Sequence, residues 1–160
     1  MEMNILLYQD KPKYDLWLKF ILGSIIACTF ILGIIFISQD TEAAIVMFGI
    51  TLFDGLLFIT ILPRRFQIFH DKLRILLGGP LTIDIALSNI TEVKPASGSK
   101  VFVYWGIQFA TSTSHVVEII RKKGLNLIIS PSDPDMFLEQ FKQALKKLAA
   151  AGFEPANRGV

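Results

Sequence analysis

The chain has 160 residues, of which 52% are hydrophobic, with a mean hydropathy of +0.51 and a formal net charge of +2. That apolar share is too high for an ordinary soluble domain, so part of the chain is expected in a membrane. The small net charge excludes a nucleic-acid binder defined by bulk basicity, and a single cysteine, Cys28, excludes an internal disulfide.

In chain order, residues 20–37 carry no charge and residues 43–62 carry only Asp54. Each run is close to the roughly 20 residues that a helix needs to cross hydrocarbon. Spans of about 18–37 and 43–62 are therefore expected within an N-terminal segment 1–63. A cleaved signal peptide fits the first run poorly, because the run is long and a second one follows at once. The connector Ser38-Gln39-Asp40-Thr41-Glu42 has room only for a turn, which makes the pair an antiparallel hairpin. Lys11, Lys13 and Lys19 precede the first run, and Arg64, Arg65, Lys72 and Arg74 follow the second; the connector has neither Lys nor Arg. Cationic flanks stay on the cytoplasmic side, so both termini are expected there. Tyr14 and Trp17 suit the headgroup level, and Pro63 ends the second helix.

Asp54 is the intramembrane residue to weigh. An ionisable side chain within a span is a functional candidate in ion or proton movement, at an insertion cost of roughly 2.5 to 3.5 kcal/mol near the helix centre. The competing reading is a hydrogen bond to Ser24, Thr29 or Thr51, or an acid that stays protonated. The spacing Gly23-x-x-x-Ala27 allows close approach of helices, including those of a second copy in an oligomer.

Beyond the arginines the apolar residues alternate: Phe66 and Ile68; Leu73, Ile75 and Leu77; Leu81, Ile83 and Ile85. Period-two spacing predicts strands with one buried face. Turns are expected at His70-Asp71-Lys72 and Gly78-Gly79-Pro80. Ile90 and Val93 suggest a fourth strand, and Val101, Val103, Trp105, Ile107 and Phe109 a fifth, which the polar run 111–114 interrupts. Residues 115–120 and 125–129 then flank Arg121-Lys122-Lys123-Gly124, where glycine can supply a hairpin's positive backbone angle. A closing helix starts with Asp133 as cap and Pro134 as its first residue, and places Phe137, Phe141, Leu145 and Leu148 on one face. Gly152 is its expected stop, and 153–160 a flexible tail.

About seven antiparallel strands followed by one amphipathic helix is the order of a pleckstrin-homology-like (PH-like) barrel. The segment from Arg64 to about Leu148 resembles the bacterial PH-domain families of small membrane proteins. The resemblance rests on the Pro-Arg-Arg exit at 63–65, Phe66-x-Ile68, Leu73-x-Ile75, Gly78-Gly79, Ile83, Leu87-Ser88-Asn89-Ile90 and Ile129-Ser130-Pro131-x-Asp133-Pro134-x-x-Phe137-Leu138. It implies a membrane helical hairpin carrying a cytoplasmic PH-like domain over 64–152, mainly β with a capping helix, at a bacterial inner membrane. It transfers no catalytic residue.

No phosphate-cradling glycine loop, Gly-x-Ser-x-Gly, His-Glu-x-x-His or cysteine pair occurs, so a non-enzymatic role with no cofactor and no metal is expected. His70 and His115 are far apart in sequence, and Asp84, Glu92 and Glu118 read as solvated strand positions. Asn89-Ile90-Thr91 matches a glycosylation acceptor that the cytoplasmic placement makes irrelevant. The leading expectation is an adaptor that presents a barrel face to a protein partner. The alternative is a module that contacts anionic membrane lipids through Arg64, Arg65, Lys72 and Arg74, each cation near the surface contributing about 1 kcal/mol. Nucleic acid is not expected, because no aromatic-basic stacking pattern accompanies the charge.

Overall fold

The computed structural model describes residues 5–101 and 103–150. The expected stop at Gly152, the tail 153–160 and the C-terminal limit of the 64–152 segment lie outside the described residues. Within these there are three α-helices and eight strands.

Helices α1 (Leu16–Phe36) and α2 (Thr41–Ile61) are 21 residues each, and both are long and apolar enough to span a membrane. At 1.5 Å per residue each measures about 31 Å, close to the thickness of bilayer hydrocarbon. The Phe36 carbonyl accepts from the amides of Gln39 and Asp40, closing α1. The Asp40 carboxylate then accepts from the amides of Glu42 and Ala43 at 3.0 and 3.1 Å, capping α2. Close approach of the helices depends on Gly33, where an added Cβ would lie 2.9 Å from the Phe48 ring. Phe30 packs edge-to-face on Phe48 at 5.6 Å, and Thr51 hydroxyl donates to Thr29 at 3.0 Å. Gly23 and Ala27, the expected small-residue pair, are instead exposed on the outer surface of α1.

The β region corrects the expected single barrel. Strand β1 (Leu6–Asp10) has no counterpart in the sequence reading, and it pairs antiparallel with β2 (Pro63–Phe69), which continues into β3 (Lys72–Leu77) and β4 (Thr82–Ala86). The second four-stranded sheet contains β5 (Ile90–Pro95), β6 (Ile107–Phe109), β7 (Val117–Arg121) and β8 (Leu127–Ile129) in the order β5-β7-β8-β6. A 3-10 turn at Leu87–Asn89 separates the sheets, and β6 runs parallel to β8, so the strands are not one antiparallel series. The long fifth strand shrinks to Ile107–Phe109 because its N-terminal half turns away. Gly98–Val101 is a 3-10 turn, Val103 and Trp105 are 87% and 92% exposed, and Gly106 nears the Asn126 carbonyl, 2.5 Å from where a Cβ would sit.

One core lies between the sheets and helix α3 (Pro134–Ala150). Phe66, Ile68, Leu73 and Ile75 from the first sheet meet Val117, Ile119, Leu127 and Ile129 from the second. The expected apolar stripe of α3 closes it, with Phe137 and Phe141 fully buried and stacked at 5.9 Å. Asp133 caps α3 by accepting from the Met136 amide at 3.0 Å, and Gly124 takes φ +88° in the β7–β8 hairpin.

The helical hairpin is thus an insertion between two neighbouring strands. β1 leads into α1, and α2 leads directly into β2, so both legs of the hairpin are rooted in one sheet.

Candidate functional site

Where helices meet sheets, three sets of contacts hold the two parts together. The strap between β1 and α1 pairs with the chain around Ser130: Lys13 amide donates to the Ser130 carbonyl at 2.8 Å, and Ser132 amide to the Lys11 carbonyl at 2.8 Å. Asp15, just before α1, does not cap that helix with its side chain. Its carboxylate instead accepts from the Thr113 amide and the Ser112 hydroxyl, each at 2.7 Å, and from the Thr113 hydroxyl at 3.1 Å. Burial pushes the Asp15 carboxyl up, but these donors and the Trp17 indole together hold it below the usual carboxylate value. Ser112 and Ser130 beneath it are fully buried, and the Ser130 hydroxyl accepts from the Thr111 and Ser112 amides. The polar run expected merely to interrupt a strand is the seat of this clasp.

On the other leg, the Gly78 amide donates to the Thr60 carbonyl at 3.1 Å, satisfying an acceptor in the last turn of α2. A side chain at Gly78 would overlap the carbonyl of Ile59, so the glycine is required by this approach. Tyr14 hydroxyl donates to the Pro63 carbonyl, joining the two legs. Its phenol is raised by burial, against the opposing pull of the Arg64 charge.

A cleft of about 570 Å³ opens beside that Tyr14 contact. Lys11, Arg64 and Arg65 line it, together with Phe58, Ile59 and Leu62 from the end of α2. The two arginines reach it through a β-bulge: Pro63 pairs with Leu77 and Arg65 with Leu76, leaving Arg64 as the extra residue. A regular strand would point neighbours to opposite faces, whereas here Arg64 and Arg65 are both exposed. Among the described residues none of the three cations forms an ion pair.

The other two expected lipid-contacting residues are placed differently. Arg74 lies opposite Asp84 in the β3–β4 register and binds it in bidentate fashion at 2.7 Å, while Lys72 reaches the same carboxylate at 3.1 Å. Both also approach the face of Phe69. Hydrogen bonding from Arg74 is the leading cause that lowers the Asp84 carboxyl to about 2. The structure therefore divides Arg64 and Arg65 from Lys72 and Arg74, and adds Lys11 and Tyr14 to the former.

Asp54 is half-buried on the face of α2 that meets α1, along the stripe of Phe48 and Thr51. Thr29 and Thr51, its expected partners, bond to each other, and among the described residues Asp54 has no hydrogen bond or ion pair. Glu118, expected on a solvated face, is only 7% exposed. Lys100 covers it at 2.9 Å, and burial with the Glu118 charge pushes the neighbouring Tyr104 up to about 12. Asn89 of the acceptor triplet bonds the Lys123 backbone through both ends of its amide. No group of three or more His, Cys, Asp and Glu side chains among the described residues is placed to hold a metal ion.

No protein-family model, curated protein or solved structure matches the chain.

Proposed function

We propose that the protein is a non-enzymatic, membrane-anchored interaction module of PH-like type, held against the cytoplasmic leaflet of a bacterial inner membrane by its two-helix hairpin. The observation that carries this reading is the insertion of the hairpin between β1 and β2, clasped by Asp15 and Gly78. A flexible tether would leave the β body free to tumble; two rooted legs favour one orientation relative to the bilayer. The four-stranded meander, second sheet and closing helix support a PH-like affinity, from which the parallel β6–β8 pair departs. Lys11, Lys13, Arg64 and Arg65 at one end of the hairpin, against Asp40 and Glu42 at the other, support the cytoplasmic placement.

Exposed Val103 and Trp105 on the loop that leads into β6 are the apolar surface we assign to a protein partner. Aromatic residues of this kind dominate interface energetics when a partner covers them. A photo-crosslinker at Trp105 in intact membranes is expected to give one discrete protein adduct, and the same probe at Lys142 on the outer side of α3 none. Equal, diffuse adducts at both positions would sink the adaptor reading.

A further inference from the structure

We propose that the cleft at the junction is a binding site for one anionic phospholipid, its phosphate held by Lys11, Arg64 and Arg65 and its acyl chains laid along Phe58, Ile59 and Leu62. The proposal rests on the membrane-anchored reading and goes further by naming a site, a ligand class and a division of labour among the basic residues.

Depth is the first argument. The apolar lining residues belong to the last turn of α2 and its end, and the two arginines to the bulge that follows, so the cleft straddles the level where hydrocarbon gives way to headgroups. Chemistry is the second. A soluble phosphate would require only the cationic lining residues, and an apolar peptide only the apolar ones. A phospholipid matches both in the same order, charge outward and chain inward.

Unbalanced charge is the third argument. Three cations converge on one concavity without a carboxylate among them, whereas in the same first sheet Lys72 and Arg74 are both paired with Asp84. Like charges gathered in this way repel, and an anion relieves the repulsion. They also come from separated parts of the chain, Lys11 from the strap and the arginines from β2, so the concavity exists only once both legs of the hairpin are rooted. The Tyr14 hydroxyl, anchored to the Pro63 carbonyl, fixes the floor between these parts. A volume of about 570 Å³ lies within the usual range for small-molecule sites, roughly 300 to 1,000 Å³. It suits a glycerophosphate headgroup with the upper part of its chains.

The test uses the full chain in nanodiscs of phosphatidylcholine containing a minor fraction of phosphatidylglycerol, with retained lipid counted by native mass spectrometry after release into detergent. One phosphatidylglycerol is expected to remain bound in preference to phosphatidylcholine. The double variant Lys11→Gln, Arg65→Gln is expected to weaken that retention about 30-fold, equivalent to about 2 kcal/mol. Lys72→Gln with Arg74→Gln removes the same charge outside the cleft and is expected to change retention less than about 2-fold, in keeping with the small contribution of paired surface charges. Glycerol phosphate and inorganic phosphate, which share the anion but have no chains, are expected to compete poorly. Equal loss in the two double variants, full competition by inorganic phosphate, or no retained lipid would each overturn the site. Extraction of the unmodified chain by alkaline carbonate would instead sink the membrane reading itself, so the two failures are distinguishable. Should the cleft variant unfold, Lys11→Gln alone is compared with Lys72→Gln alone.

Discussion

Leu52, Phe53, Leu56 and Ile59 in α2 are the same kind of side chain as Leu73, Ile75, Ile85 and Ile119 in the sheets, yet the first four are exposed and the second four are buried. The difference lies in pattern. In β3 the buried residues alternate with more exposed ones, so that strand has one face to bury, and α3 likewise has one apolar stripe. Helices α1 and α2 are apolar almost all round, and a two-helix hairpin can hide only the seam between them. What is left outside is far more apolar surface than a soluble monomer exposes. Apolar content alone therefore does not say what a residue packs against; in one region it packs on protein, and in the other lipid is the proposed solvent.

The largest expected effect sharpens the inward half of that comparison. Phe141→Ala empties a fully buried ring site under the sheets and should destabilise the β body by about 3 to 5 kcal/mol in denaturant unfolding of the detergent-solubilised chain. Leu52→Ala on the outside of α2 should leave the same transition within about 0.5 kcal/mol. Comparable losses in both would erase the distinction between the two regions.

Next in size is the outward half. Leu52 lies near the middle of α2 on its exposed side, and Leu52→Asp should add roughly 2.5 to 3.5 kcal/mol to insertion. The expected outcome is a marked fall in the carbonate-resistant membrane fraction. Unchanged partitioning would mean that this face does not meet lipid.

The clasp between the regions comes third. Asp15→Ala leaves the Thr113 amide and two hydroxyls without their acceptor, and about 1 to 3 kcal/mol of stability should go with it. Because the folded Asp15 carboxyl lies below its unfolded value near 3.8, this stabilisation is complete above that value. It is lost as pH falls through the lower folded value. Acid titration of Asp15→Ala against the unaltered chain should therefore show curves that converge only at low pH.

The smallest effect belongs to the outer face of the first sheet. Arg74→Ala breaks an exposed pair with Asp84 and should cost about 0.2 to 1 kcal/mol, less in high salt. Asp84 is lowered to about 2, so its contribution is present above the unfolded value near 3.8 and fades as pH falls toward 2. A difference that grows with added salt would contradict this account.

Much of the architecture was legible from local pattern. Apolar runs near 20 residues marked the first two helices, alternation marked β2 to β4, and Asp133-Pro134 with Phe137 and Phe141 marked α3. These signals need only near neighbours, because turn chemistry, capping and periodicity act over a few residues. β1 escaped because Leu6-Leu7-Tyr8-Gln9-Asp10 is short and its partner strand begins at Pro63, after both helices.

The candidate site was legible only in part. Arg64 and Arg65 stood out beside the second apolar run, but nothing local to Lys11 or Tyr14 announced that they would face the same cleft. The sequence by itself determined the three helices, the strands β2 to β4, the apolar stripe of α3, and where charge gathers along the chain. Only the tertiary structure decided which charges are cancelled: strand register set Arg74 against Asp84, and a one-residue bulge exposed Arg64 and Arg65 together. It also decided that Ser112, Ser130 and Glu118, polar in any sequence reading, are buried. The physical reason is distance in the chain. Burial of a polar group is tolerated when its partner arrives, and the partners here, Asp15 for Ser112 and Lys100 for Glu118, come from segments 97 and 18 residues away.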